Sequence, residues 1–465
     1  MFSTETYIRR RQQLIHNIDS KGILLFLTNK ESPINFEHNC YPFRQDSSFL
    51  YYFGIKAPEI YVVLDLDSNE TILFGDEASI DDIIWTGKLE TLKEKAHKSG
   101  IQKTVPKKEI FDYVEKVIKQ DRTVHYLPPY QAYNKILLSQ LIQKPISQLQ
   151  PSIPFIKAVV SQRSVKEKQE IEDIEKALAV TVEMHKLAML ATQPGMKEYE
   201  IINVMRHYAE DHGCTFAYPP IVTKHGEILH NLHSHHLLSL GDMVLNDSGC
   251  ETDKGYAADL TRTYPVANKF TPVQRDIYSI VHAAIQSASS MLAPQTKFRD
   301  VHLRSVTTLM EGLKDLGIVR GNVEDAVESN AFTLFFQCGT GHMMGLDVHD
   351  MEDLGEQYVG YIDEEPKDTK TFGWKSLRLA KKLNTGNVLT VEPGIYFIPT
   401  LIDMWTAERK HAEFINYNQL EKYKDFGGIR IEDNYVITED GYRTLGPHLF
   451  QSIDEIENYR DANLS

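Results

Sequence analysis

One pattern occurs twice and limits what this chain can fold into. Gly241-Asp-Met-Val-Leu-Asn-Asp247 and Gly386-Asn-Val-Leu-Thr-Val-Glu392 each hold a turn glycine, an apolar strand and a carboxylate six residues after the glycine. A second carboxylate follows each copy, Asp259 and Glu432 respectively. The repeat predicts a duplicated β-hairpin unit with two acids per copy, inside an α+β domain built around an antiparallel sheet. Side chains alternate along a strand, which decides which acids share a face. Neighbouring strands lie about 4.8 Å apart, so two carboxylates on one face can share an ion. Like charges repel, so four converging acids need cations to offset them.

His342, in Gly339-Thr340-Gly341-His342, completes the set. Oxygen donors with one imidazole suit manganese, magnesium or cobalt better than a structural zinc, which favours Cys and His. Two cations bridged by carboxylates about 3.5–4 Å apart would hold a water and lower its pKa towards neutrality. That supplies a hydroxide nucleophile without Ser or Cys. Each residue alone has a plainer reading. Asp247 suits a turn, Glu392 precedes Pro393 where a strand ends, Glu432 lies beside Arg430 as in a cross-strand ion pair, and His342 suits a loop. Only the set, with the echo, points to a metal centre.

Composition narrows the class. A chain of 465 residues is long for one domain. An apolar share of 42% supplies a core, and a net charge of −15 argues against binding a nucleic-acid backbone. Cys40, Cys214, Cys250 and Cys338 are far apart and form no CxxC pair, so neither a disulfide scaffold nor a zinc ribbon is expected. The start, Met1 to Gln12, is polar, and no run reaches membrane-spanning length. A soluble protein of a reducing cytoplasm is the expectation.

The first part reads as mixed α/β. Gly22 to Leu27 is a short apolar run, Ile60–Asp65 and Thr71–Phe74 are strand-like about a polar turn, and Ile110–Ile118 is helix-like. Prolines at 145, 151 and 154 mark a linker, giving domains at 1–155 and 156–465. Ser164 with Glu167 has capping-box spacing, and Ile171, Ile174, Leu178 and Val182 recur at helical spacing behind it. Helices are expected over 274–292 and 301–316, with strands at 243–245, 388–391 and 434–437.

Several motifs then carry a resemblance. They are Asp247-Ser-Gly-Cys-Glu-Thr-Asp-Lys-Gly-Tyr-Ala-Ala-Asp259-Leu-Thr-Arg-Thr-Tyr-Pro265, Gly341-His342-Met-Met-Gly-Leu-Asp-Val-His349-Asp350, Val391-Glu-Pro-Gly-Ile-Tyr396 and Gly428-Ile-Arg430-Ile-Glu432-Asp433. They resemble the pita-bread metallopeptidases, and among them the Xaa-Pro aminopeptidases and Xaa-Pro dipeptidases (prolidases). Phe43-Arg-Gln-Asp-Ser-Ser-Phe49-Leu-Tyr51-Tyr-Phe-Gly54 resembles the signature of the amino-terminal domain of aminopeptidase P.

The resemblance implies a carboxy-terminal pita-bread domain behind a smaller α/β domain, and a hydrolase that cleaves the Xaa-Pro bond at the amino terminus of proline-containing peptides. It implies two divalent ions, manganese foremost, with cobalt or zinc as alternatives. Asp247 would bind one ion, His342 and Glu392 the other, and Asp259 and Glu432 would bridge. Glu392 would also move protons, while His230 and His349 would lie near the scissile carbonyl and its oxyanion. A homodimer or higher homo-oligomer is implied as well. Arg378, in Ser376-Leu-Arg378-Leu-Ala, resembles the prolidase arginine that holds a dipeptide's carboxylate. Arg378 and Arg430 are both substrate-carboxylate candidates, with a structural ion pair as the alternative for either. Two other readings stand beside the aminopeptidase: a dipeptidase, and a pita-bread binding protein without catalysis. Cys338 departs from the pattern, because the family often has a histidine there.

Overall fold

The computed structural model describes residues 1–464, and they form two compact units. One comprises Met1–Arg163 with Met351–Tyr358, the other Ser164–Asp350 with Val359 onward. Among the described residues no helix is long and apolar enough to cross a membrane.

In the amino-terminal unit the strands Ile23–Leu27, Tyr61–Asp65 and Glu70–Phe74 pair antiparallel in that order. Val124–Tyr126 and Lys103–Val105 add parallel edges, giving a five-stranded mixed sheet. Ile23, Leu25, Val63, Ile72 and Phe74 build one core with Ile110, Val114 and Val117 of the helix Ile110–Lys119. The polar start of the chain is not a solvated tail. It is a helix, Thr4–Asn17, whose Arg10 and Arg11 are buried.

The proline-bearing stretch 145–154 leads into the helix Ile153–Ser164. Here the expected cap is displaced. Ser164 ends that helix, and Glu167 with Glu170 forms the box that starts Lys168–Ala191. The cause lies in the intervening residues. Lys166 donates its backbone N–H to the Gly386 carbonyl at 2.8 Å and its buried ammonium to Asp350 at 2.7 Å. The first bond takes the backbone N–H away from an intrahelical partner, and the second anchors the side chain there.

The carboxy-terminal unit is α+β with antiparallel pairing throughout its sheets. Met243–Ser248 lies between Leu260–Pro265 and Ile221–Thr223, and Asp433–Ile437 lies between Val388–Val391 and Tyr442–Thr444. A bridge between Thr261 and Glu432 joins the two strand sets. The helices Pro272–Ser289 and Phe298–Asp315 pack on each other. The first starts earlier than its apolar period suggests, because Thr271 caps it and Pro272 supplies a preset first-turn φ.

Candidate metal centre

The alternation of the strand Met243–Ser248 separates two environments. Asn246 and Ser248 face inward to His185, whose Nε2–H donates to the Ser248 carbonyl at 3.0 Å while Nδ1 accepts from the Asn246 amide at 3.3 Å. Burial pulls His185 down to about 4, so it is neutral. Asp247, between them, faces the other way. Asp259 stands immediately before the partner strand, since the register pairs Ser248 with Leu260. Asn434 holds it there, accepting from Asp259 N–H at 3.2 Å and donating to its carbonyl at 2.5 Å. The second copy keeps the strand pair, with Val391 opposite Asp433. It is not a tight hairpin, because the ribbon of Gly394–Tyr396 with Gly428–Arg430 and the helix Pro399–Glu408 are inserted between the strands. Glu392 follows one strand and Glu432 precedes the other.

His342 reaches these acids from an irregular turn laid along Val388–Val391. Thr390 N–H donates to the His342 carbonyl at 3.0 Å. A Cβ at Gly341 would stand 2.0 Å from the Thr390 carbonyl oxygen, so the close approach requires glycine. His342 Nδ1–H donates to Met343 O at 3.0 Å, which leaves the Nε2 lone pair inward. That nitrogen lies 3.4 Å from Asp259 Oδ2 and 3.5 Å from Glu392 Oε1. A lone pair facing carboxylates is repulsive unless a cation or proton lies between.

Two of the acids share one hydroxyl, and a third keeps an oxygen without a hydrogen-bond partner. The Tyr218 hydroxyl, with one proton, lies 2.7 Å from Asp247 Oδ1 and 2.5 Å from Asp259 Oδ1. Glu432 Oε2 accepts from the Thr261 hydroxyl at 2.7 Å, while its buried Oε1 has no hydrogen-bond partner. Burial first, then neighbouring carboxylates, pushes Asp259, Glu392 and Glu432 well above the usual range. Ligand atoms of Asp259, His342 and Glu432 lie within 4.8 Å of one another. An orphaned carboxylate oxygen and an inward imidazole lone pair fit a divalent cation.

All nine residues named from the sequence border one cavity of about 590 Å³. His349 stacks edge-on against His342, with ring centroids 4.4 Å apart. Burial, aided by the Arg430 charge, lowers His230. Arg378 lines the wall near Ser376. Arg430, also on the cavity wall, forms an ion pair with Asp247. It donates to Asp247 Oδ2 at 2.5 Å, the Tyr396 hydroxyl at 2.9 Å and Thr261 Oγ1 at 3.2 Å, so its fork is engaged by protein groups. Cys338 also lines the cavity, its thiol pushed up to about 12 by burial and the Glu392 charge. Tyr218, Thr261 and Asn434 were not among the residues expected. Thr261 had a signal, since it stands two residues from Asp259 at strand spacing. Tyr218, a lone tyrosine before a proline, had none.

Two family profiles match the chain. Metallopeptidase family M24 covers residues 172–439, and the aminopeptidase P amino-terminal domain covers 7–126. The Xaa-Pro aminopeptidase of Escherichia coli (strain K12) is 30% identical over 98% of this chain and 97% of its own length. The Xaa-Pro dipeptidase of Homo sapiens is also 30% identical, over 89% of this chain and 84% of its own. The structure of zinc-substituted E. coli aminopeptidase P in complex with product matches with a TM-score of 0.81 at 30% identity, over 99% of each chain.

Proposed function

The chain belongs to metallopeptidase family M24, and from that premise we propose that it is an Xaa-Pro aminopeptidase, releasing the amino-terminal residue from peptides whose second residue is proline. The supporting observation is the single cavity that takes in all four acids and His342 together with His230 and His349. Asp247, Asp259, His342, Glu392 and Glu432 would hold two divalent ions, manganese first, with cobalt or zinc able to replace it. When bound, such ions supply Lewis acidity and a nucleophile at neutral pH.

The chain's own residues do the rest. Glu392, brought beside His342 and the other acids in the cavity, is placed to take up a proton and return it to the leaving nitrogen. His230 and His349 supply donors for the oxyanion that develops on the scissile carbonyl. His230 is lowered by burial, so it acts as a neutral imidazole. Proline gives no N–H to bind. Leu229 and Leu232 on the cavity wall offer its ring an apolar surface instead. Tyr218 holds Asp247 and Asp259 in place, and Arg430 holds Asp247.

A second reading has its own support. Arg378 on the cavity wall suits a product-side carboxylate, which would restrict the enzyme to dipeptides. Hydrolysis of Xaa-Pro against Xaa-Pro-Yaa-Zaa by manganese-loaded protein, with an EDTA control, decides. Cleavage of both supports the aminopeptidase. Cleavage of the dipeptide alone makes it a prolidase, and cleavage of neither by protein holding two ions defeats both readings. A cytoplasmic setting is consistent with four unpaired cysteines. The homodimer rests on the resemblance alone.

A further inference from the structure

The turn that delivers His342 is held on two sides, and only one belongs to the sheet. On the sheet side Glu392 N–H donates to Thr340 O at 2.7 Å and Thr390 N–H to His342 O at 3.0 Å. On the other side stands His302, in the helix Phe298–Asp315. Its Nδ1 lies 2.9 Å from Thr340 Oγ1, both residues being essentially inaccessible to solvent. Phe332, Phe336 and Trp374 surround the imidazole, with ring centroids 6.0, 6.0 and 5.4 Å away. Trp374 is itself fixed, its indole N–H donating to Asn330 Oδ1 at 2.6 Å. An aromatic box therefore surrounds the imidazole, with one ring nitrogen at hydrogen-bond distance from the one hydroxyl in Gly339–His342.

We propose that His302 is a positioning residue for the metal centre, setting through Thr340 the place of His342 and, through the Thr340 carbonyl, the backbone of Glu392. Burial pulls His302 down to about 3, so the ring stays neutral across the working range of the enzyme. The contact is thus a pH-independent strut rather than a switch. The inference rests on the metal-centre reading. It adds a residue that touches neither ion nor substrate.

Thr340→Val keeps the side-chain shape and removes the hydroxyl, and Thr340→Ser restores it. Metal retention is read by equilibrium dialysis against manganese with emission spectrometry, alongside kcat and KM for an Xaa-Pro dipeptide. The expected result for Thr340→Val is about 10- to 100-fold weaker retention of one of two ions and a loss in kcat with little change in KM. Thr340→Ser should recover both. His302→Phe should match Thr340→Val, and the double variant should lose no more than either single one, because the two groups act as one contact. Equal retention and kcat in Thr340→Val would overturn the proposal, even with a lower melting temperature. A wild-type chain that retains no manganese would instead overturn the metal-centre reading beneath it.

Discussion

In the amino-terminal unit Arg10 and Arg11 are 0% and 4% exposed, while in the carboxy-terminal unit Asp259 and Glu432 are 5% and 2% exposed. The arginines are closed in by partners. Arg10 donates to Tyr51 O at 3.0 Å and stacks on its ring at 3.8 Å. Arg11 donates to Tyr52 O at 2.9 Å and Ser99 O at 2.7 Å. Around the acids, one tyrosine proton is divided between two carboxylates and one oxygen of Glu432 has nothing. Buried charge met by its own partners supports a fold. Buried charge gathered with like charge, with a carboxylate oxygen left unpartnered, marks a place for a cation.

The sharpest break in that contrast is Asp259→Ala. It should lower kcat by at least about 1000-fold, the scale on which losing one member of a catalytic unit acts. The metal-free fold should survive, since a repelling charge has gone. Retained turnover with normal metal content would show that the acids do not act together. Arg11→Met tests the other side. It leaves two carbonyls without their cation and should cost about 2–4 kcal/mol in urea unfolding, with manganese content unchanged. A neutral result would mean that the enclosed charge does not stabilise the fold.

Arg378→Ala refines the reading of the cavity wall. If Arg378 holds a carboxylate, kcat/KM for Xaa-Pro dipeptides should fall about 10- to 100-fold more than for tetrapeptides. Equal losses would return it to a structural role. The smallest effect concerns pH. Asp259, Glu392 and Glu432 are raised in the metal-free fold, so their protonated forms stabilise it at low pH, and this is lost as pH rises through those raised values. A divalent ion bound by these acids would replace those protons. The rise in melting temperature on manganese addition should therefore be a few degrees larger at pH 8 than at pH 6. His185, lowered to about 4, destabilises the fold as pH falls below about 6.5, but it does so with or without metal and cancels in the difference. A pH-independent rise would mean that the acids carry no protons to displace.

The strands of the echo were legible because period and turn glycines are local signals, and Val388–Val391 is seen where it was expected. The acids were legible because each stands in a fixed context. What joins them was not. The Asn434 clamp on Asp259 bridges 175 residues, and the His302 contact with Thr340 bridges 38. No window along the chain contains both ends of such a contact. The capping box failed for a similar reason: Ser164 and Glu167 have the spacing, but Gly386 and Asp350, far along the chain, hold Lys166 out of the helix. Arg430 resisted because two chemically reasonable partners, substrate and Asp247, differ only in where the fold puts them.

Manganese bound per chain, by equilibrium dialysis of the wild-type protein at pH 7.5, tests most directly whether the convergent acids form a metal centre. Two ions per chain, both removed by EDTA, is the predicted result. No retained ion, from a protein that still hydrolyses an Xaa-Pro bond, would contradict it.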